Sequence, residues 1–140
     1  MTSVLVIDNH PIVLQGCRRF LSDAGITSVL EAGDVVAGYE LFCRHRPDVV
    51  IVDLAMGKNS LEGLALIQRI KSHNSHAHIL VLSMHEDPSI VARALEAGAS
   101  GYVIKERPED LLIAIKTIQE GNFIWPTPCF ASLTSTYAMN

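Results

Sequence analysis

Polar side chains stand directly after four apolar runs of this sequence. Asp8 and Asn9, Asp53, Ser83 and Lys105 follow the runs at 4–7, 49–52, 79–82 and 102–104, in that order. Ligands of open parallel sheets bind in the crevice beyond the carboxyl ends of the strands. If the four runs are neighbouring parallel strands, these side chains therefore meet at one edge. Carboxylate oxygens gathered in one place favour a hard cation such as Mg²⁺.

The same set of side chains suits chemistry at phosphorus. A carboxylate such as Asp53 is a weak nucleophile, so its reaction depends on placement and on neutralisation of charge. Mg²⁺ would hold Asp53 and a phosphate oxygen together, with Asp8 binding the metal directly or through water. Lys105 would neutralise another oxygen as a point charge. Ser83 would donate a hydrogen bond to the phosphoryl group.

The apolar runs are predicted to be buried strands. They are rich in β-branched residues and do not alternate with polar ones, a pattern typical of strands covered on both faces in a parallel sheet. Residues 28–31 form a weaker fifth run, which indicates a short edge strand.

Apolar residues spaced three and four apart lie between the runs. They predict helices over 11–23, 35–45, 62–72, 88–97 and 108–120. Residues suited to helix ends mark the boundaries: Pro11, Pro88 and Pro108 in first turns, Asp34 and Asp87 as N-caps, and Gly25, Gly98 and Gly121 as C-caps. Strands and helices that alternate in this way predict an α/β fold, a doubly wound five-stranded parallel sheet with helices on both faces.

The composition limits the class of protein. The chain has 140 residues, 49% hydrophobic and 19% charged, with a net charge of −4. These values favour one packed globular domain, and the negative charge argues against direct binding of this domain to DNA. No apolar run is long enough to span a membrane and no signal peptide is evident, so we expect a cytoplasmic protein. The cysteines, Cys17, Cys43 and Cys129, are interpreted as reduced thiols.

Five motifs together resemble the receiver domain of two-component response regulators. The motifs lie in residues 6–11, 48–54, 81–84 and 97–105, in the order and spacing of that family. The sequence around His10-Pro11 and Gly101-Tyr102 resembles that of the NarL/FixJ subfamily, whose receivers usually precede a helix-turn-helix DNA-binding domain. The resemblance implies a flavodoxin-like sheet with strand order 2-1-3-4-5. It covers residues 1–122 as the receiver, and residues 123–140 are interpreted as a linker start or a short extra helix toward an output domain.

The resemblance also implies a role for each matching residue. Asp53 would be the phospho-acceptor. Mg²⁺ would be held by Asp8, Asn9, Asp53 and the backbone oxygen of Ala55. Ser83 and Lys105 would contact the phosphoryl group, and Tyr102 would change rotamer as Ser83 moves. The implied partners are a sensor histidine kinase and a second copy of the chain, with DNA bound only through an output domain.

Two features depart from the family pattern. Asn9 stands where the family usually has a second acid, and Met56-Gly57 stands where it usually has Met-Pro, in a longer loop in which Lys58 could reach the site. Both features leave a second hypothesis open: a pseudo-receiver that acts as a phosphorylation-independent dimerisation or docking module.

Other functions on similar folds lack their motifs. The segment after the first run, 9–12, is neither the phosphate loop of a flavin carrier nor the G-x-G-x-x-G of a dinucleotide enzyme. His10 is interpreted as a cap of the first helix. His73, His76 and His78 are expected in a solvated polar loop between a helix and a strand, and their spacing fits no common zinc site.

Overall fold

The computed structural model describes residues 2–54, 60–83, 88–104 and 110–123. Strands and helices alternate along this part of the chain. They are β1 Ser3–Ile7, α1 Pro11–Asp23, β2 Ser28–Ala32, α2 Val35–His45, β3 Val49–Asp53, α3 Ser60–His73, β4 His78–Ser83, α4 Pro88–Ala97, β5 Gly101–Ile104 and α5 Asp110–Gln119. The bounds of α1, α2 and α4 are those predicted from the sequence. Pro108 and the tail from residue 124, which includes the predicted extra helix, lie outside the described residues.

The five strands form one parallel sheet in the order β2-β1-β3-β4-β5. The predicted α/β class, the strand order and the edge position of β2 are therefore confirmed. In the central register, Val4 pairs with Val49 and Ile7 with Val52, while Asp53 pairs with Leu82 of β4. This register brings the ends of β1, β3 and β4 to the same edge of the sheet.

Apolar side chains cover the sheet on both faces, as a doubly wound fold requires. One face packs under α2, α3 and α4 and contains Ile7, Val52, Val81 and Tyr102. The other packs under α1 and α5 and contains alternate residues of the same strands, such as Val6 and Ile51. Burial of each aliphatic side chain contributes roughly 1.5–3 kcal/mol to the stability of the fold. These two apolar layers therefore hold the strands in fixed positions at the edge where the polar side chains lie.

The predicted helix ends are largely confirmed. The Asp34 carboxylate accepts a hydrogen bond from the Ala37 N–H at 2.7 Å, which caps α2 as expected. Gly25, Gly98 and Gly121 have φ angles of 91°, 113° and 87°, the left-handed conformation expected after a helix. Asp87 lies outside the described residues.

The prediction that three histidines lie in a solvated loop is wrong for two of them. His73 is the last residue of α3, and His78 begins β4. The His73 ring lies edge-on to the rings of Tyr39 and Phe42, with centroids 6.1 and 6.0 Å apart. These ring contacts between α2 and α3 accompany the extension of α3 to His73. The spacing of apolar residues in the sequence did not indicate this extension.

Cys17 is buried and Cys43 half-buried, and within the part of the chain that the structure describes neither forms a disulfide, in agreement with their interpretation as packed, reduced side chains. Cys129 lies outside the described residues. Within the described ranges, no helix has the length and hydrophobicity needed to cross a membrane.

Candidate functional site

A reciprocal hydrogen-bonded clasp fixes the register of β1 against β3. The backbone N–H and hydroxyl of Ser3 donate to the Asp48 carboxylate at 2.8 and 3.2 Å. In return, the Asp48 N–H donates to Ser3 Oγ at 3.0 Å. The clasp lies one residue before the pair Val4 and Val49. It therefore helps set which side chains face each other where the two strands end.

Asp8 and Asp53 lie side by side at that edge. Asp8 comes one residue after Ile7, which pairs with Val52, and Asp53 ends β3. Their exposed fractions are only 0% and 1%. The Asp8 N–H donates to the carbonyl of Ala32 at 3.0 Å, so β2 holds the backbone of this residue. Carboxylates are almost never fully buried unless they are paired or hold a metal, which marks this pair as the centre of the site.

His10 reaches into the same site from the start of α1. Its Nδ1 lies 2.8 Å from Asp8 Oδ1 and 3.6 Å from Asp53 Oδ2. The His10 backbone N–H also donates to Asp8 Oδ1, at 2.9 Å. His10 does hold the N-cap position of α1, but its side chain makes no cap hydrogen bond. The interpretation of His10 as only a helix cap is therefore wrong, because its ring contacts the carboxylates instead.

Ser83 and Tyr102 lie on neighbouring strands next to this pair. Ser83 ends β4 and is fully buried, one residue beyond the partner of Asp53. Tyr102 pairs with Val81 and is 2% exposed, packed in the layer under α2, α3 and α4. Since side chains two residues apart along a strand share a face, Ser83 points to the same layer as Val81 and Tyr102.

Two helical glycines allow close packing behind the acids. A Cβ atom on Gly38 of α2 would lie 2.7 Å from Ile7 Cδ1, and one on Gly63 of α3 would lie 3.3 Å from Leu54 Cα. Ile7 directly precedes Asp8, and Leu54 directly follows Asp53. The absence of a side chain at Gly38 thus lets α2 pack against the side chain of Ile7, and its absence at Gly63 lets α3 approach the backbone of Leu54.

The acids suit a divalent cation. One ligand atom from each of Asp8, His10 and Asp53 can be chosen so that all three lie within 4.8 Å of one another. Two buried carboxylates supply the hard oxygen ligands that Mg²⁺ prefers. Asn9 is exposed beside Asp8.

The structure thus brings together Asp8, Asp53 and Ser83, with Tyr102 in the adjoining layer. Ala55, Lys105 and the loop with Lys58 lie outside the described residues, so their predicted places in the site stay predictions. His10 is the contact that sequence reasoning missed. Its position two residues after an acid at a strand end was the available signal, because that spacing allows a turn back to the carboxylate.

Comparisons with known proteins agree on one family. The family model described as the response regulator receiver domain matches residues 4–116. The methanol utilization control regulatory protein MoxX of Paracoccus denitrificans is 32% identical over 123 residues, which are 86% of this chain and 55% of that protein. The chain thus spans about half the length of this curated relative.

Solved structures are similar over nearly the whole chain. A two-component response regulator of the LuxR family from Aurantimonas sp. SI85-9A1 superposes with a TM-score of 0.85 at 32% identity, covering 100% of both chains. The isolated REC domain of RcsB from Salmonella enterica serovar Typhimurium, in its apo form, gives a TM-score of 0.85 at 32% identity. The match covers 96% of this chain and 99% of that one.

Proposed function

Because this chain belongs to the response regulator receiver domain family, we propose that it is the phosphorylation-controlled switch of a two-component transcriptional regulator. Asp53 accepts a phosphoryl group from a sensor histidine kinase. The observation that carries this proposal is the pair of buried carboxylates, Asp8 and Asp53, side by side at the edge where three strands end.

The first step is attack by an Asp53 carboxylate oxygen on phosphorus. The new O–P bond forms as the bond from phosphorus to the donor's histidine nitrogen breaks. Asp8, Asn9, the Asp53 carboxylate and the backbone oxygen of Ala55 are the ligands that would hold Mg²⁺. That ion neutralises charge on the phosphoryl oxygens when it is bound. The rigid ends of β1 and β3 contribute placement, since the clasp and the two sheet layers hold both acids in register.

Ser83 and Lys105 are proposed to stabilise the product. The Ser83 hydroxyl donates a hydrogen bond to a phosphoryl oxygen, and the Lys105 ammonium pairs with another. Ser83 shares its face of the sheet with Tyr102, which packs under α2, α3 and α4. Movement of Ser83 toward phosphate would leave space for Tyr102 to change rotamer, and this change would alter the surface formed by α4, β5 and α5.

The remaining parts of the proposal concern the protein around this domain. Residues 1–122 act as the receiver and residues 123–140 as the start of a linker to a DNA-binding output domain. The phosphorylated form associates with a second copy, in the cytoplasm. Receiver domains are in general signalling modules and not enzymes. In this chain, catalysis is limited to phosphoryl acceptance and autodephosphorylation.

Intact mass spectrometry tests the proposal. We would incubate the chain with Mg²⁺ and acetyl phosphate beside three variants: Asp53→Asn, Asp8→Asn and Asp23→Asn. The last is the matched control, because Asp23 is an exposed acid at the end of α1. We expect the parent and Asp23→Asn to gain one phosphoryl group in a Mg²⁺-dependent manner, and Asp53→Asn to gain none.

Asp8→Asn should gain the group more slowly, because one ligand charge is lost. If the parent gains no mass at saturating Mg²⁺, phosphotransfer is refuted for this chain. An equal gain by Asp53→Asn would place the acceptor elsewhere and refute the assignment of Asp53.

A further inference from the structure

The geometry around His10 fits a metal ligand as well as a hydrogen-bond partner. Metal–nitrogen and metal–oxygen bonds are about 2.1 Å long, so adjacent ligand atoms lie about 3.0 Å apart in octahedral sites and about 3.4 Å apart in tetrahedral ones. Nδ1 of His10 lies 2.8 Å from Asp8 Oδ1 and 3.6 Å from Asp53 Oδ2. Both distances lie within about 0.6 Å of either edge, and ligand atoms of the three residues lie within 4.8 Å of one another. One ion could therefore contact all three residues after shifts of that size.

The chemical type of the ligands determines which metal ion this site binds more tightly. Mg²⁺ prefers carboxylate, carbonyl and water ligands, whereas imidazole is a good ligand for transition metals such as nickel and zinc. A site with nitrogen and oxygen ligands generally binds these later transition metals, cobalt included, more tightly than the earlier ones. We propose that His10 is a third side-chain ligand of the Asp8–Asp53 site and that it raises the affinity of this site for divalent transition-metal ions relative to its affinity for Mg²⁺. This inference rests on the proposed function in one respect: it uses Asp8 and Asp53 as metal ligands.

The ring must present a lone pair at Nδ1 to bind a metal. When Nδ1 carries the ring proton, it donates to Asp8 Oδ1; as a ligand, the ring carries its proton on Nε2 instead. The side chain of His10 is 54% exposed, so water can carry the proton between the two nitrogens. The backbone N–H of His10 keeps its bond to Asp8 Oδ1 in both forms, which holds the ring beside the site while the tautomer changes.

Calorimetric titration with Mg²⁺ and Co²⁺ tests this assignment. The intact chain would be compared with His10→Ala and with His76→Ala, the matched control, because His76 is exposed in the turn between α3 and β4. We expect His10→Ala to lower the ratio of Co²⁺ to Mg²⁺ affinity by about tenfold or more, since loss of even an outer-shell partner costs that much. His76→Ala should leave the ratio unchanged.

A spectroscopic signature separates ligation from a structural role. In the Mn²⁺-loaded protein carrying ¹⁵N-labelled histidine, pulsed EPR should show coupling to a directly bound ¹⁵N nucleus. The coupling should persist in His76→Ala and vanish in His10→Ala. If the affinity ratio does not fall in His10→Ala, or if no ¹⁵N coupling appears, His10 is a hydrogen-bond partner and the inference is overturned.

The acids distinguish this failure from failure of the proposed function. Asp8→Asn and Asp53→Asn should each weaken binding of both ions. If they do so while His10→Ala leaves the ratio unchanged, only the role of His10 is wrong. If neither variant weakens binding of either ion, the metal site is wrong, and the proposed function loses its Mg²⁺ ligands as well.

Discussion

One methyl group added at Gly38 should clash with the side chain of Ile7, the residue that precedes Asp8. A Cβ atom there would lie 2.7, 3.0 and 3.1 Å from Cδ1, Cγ1 and Cγ2 of Ile7, well inside ordinary contact distance. Ile7 is β-branched and fully buried, so it has little room to turn away. Forcing a methyl group into a packed core costs about 1–3 kcal/mol. Replacing glycine by alanine in a helix returns about 1 kcal/mol, so Gly38→Ala should lower the free energy of unfolding by about 1 kcal/mol.

Gly16→Ala is the matched control, because Gly16 is exposed in α1 and its Cβ would meet nothing within 4 Å. It should raise the free energy of unfolding, by up to about 1 kcal/mol. Urea denaturation followed by circular dichroism measures both. The difference between the variants isolates the clash, and Ile7→Val should cost less in the Gly38→Ala background than in the parent, because it removes Cδ1. If Gly38→Ala stabilises the protein as much as Gly16→Ala does, the reasoning about close packing of α2 against β1 is refuted.

Three further predictions concern contacts that hold the fold. Asp34→Ala should lower the free energy of unfolding by about 1 kcal/mol through loss of the α2 cap, and no loss in urea denaturation would contradict the cap. Ser3→Ala should lower the free energy of unfolding by about 0.5–1.5 kcal/mol, because it removes the hydroxyl of the β1–β3 clasp; an unchanged midpoint would show that this hydroxyl contributes nothing. Burial lowers the pKa of Lys71 below its usual 10.5, so the folded state binds fewer protons than the unfolded state between the two values. The parent should therefore gain stability relative to Lys71→Met as the pH rises through that window, and a flat difference would contradict it.

The sequence predicted the fold well because local signals agreed with one another. Apolar β-branched runs marked the central strands, and β1 and β3 are buried along nearly their whole length. Residues suited to helix ends marked the boundaries, as the Asp34 cap illustrates. Parallel strands with helical crossovers leave few topologies, so the strand ends that carry Asp8, Asp53 and Ser83 could be placed at one edge from the order of the runs.

Other features depend on contacts between distant parts of the chain, which no local pattern encodes. The close approach of Gly38 to Ile7 requires the packing of α2 on the sheet. The His73 ring against Tyr39 requires the packing of α2 on α3. Arg46 takes a left-handed φ of 45° after α2, where a glycine would be the expected signal. The contact of His10 with Asp8 was missed because a residue at a helix start has a simpler use as a cap.

Asp53 is the proposed phosphoryl acceptor, and locating the modified residue tests this assignment. After incubation with Mg²⁺ and acetyl phosphate, borohydride reduces an acyl phosphate to the alcohol, so the acceptor aspartate becomes homoserine. Peptide mass spectrometry then reads the position. We expect homoserine at Asp53 alone, and only after incubation with Mg²⁺. Homoserine at another acid, or at none despite intact folding, would contradict this assignment.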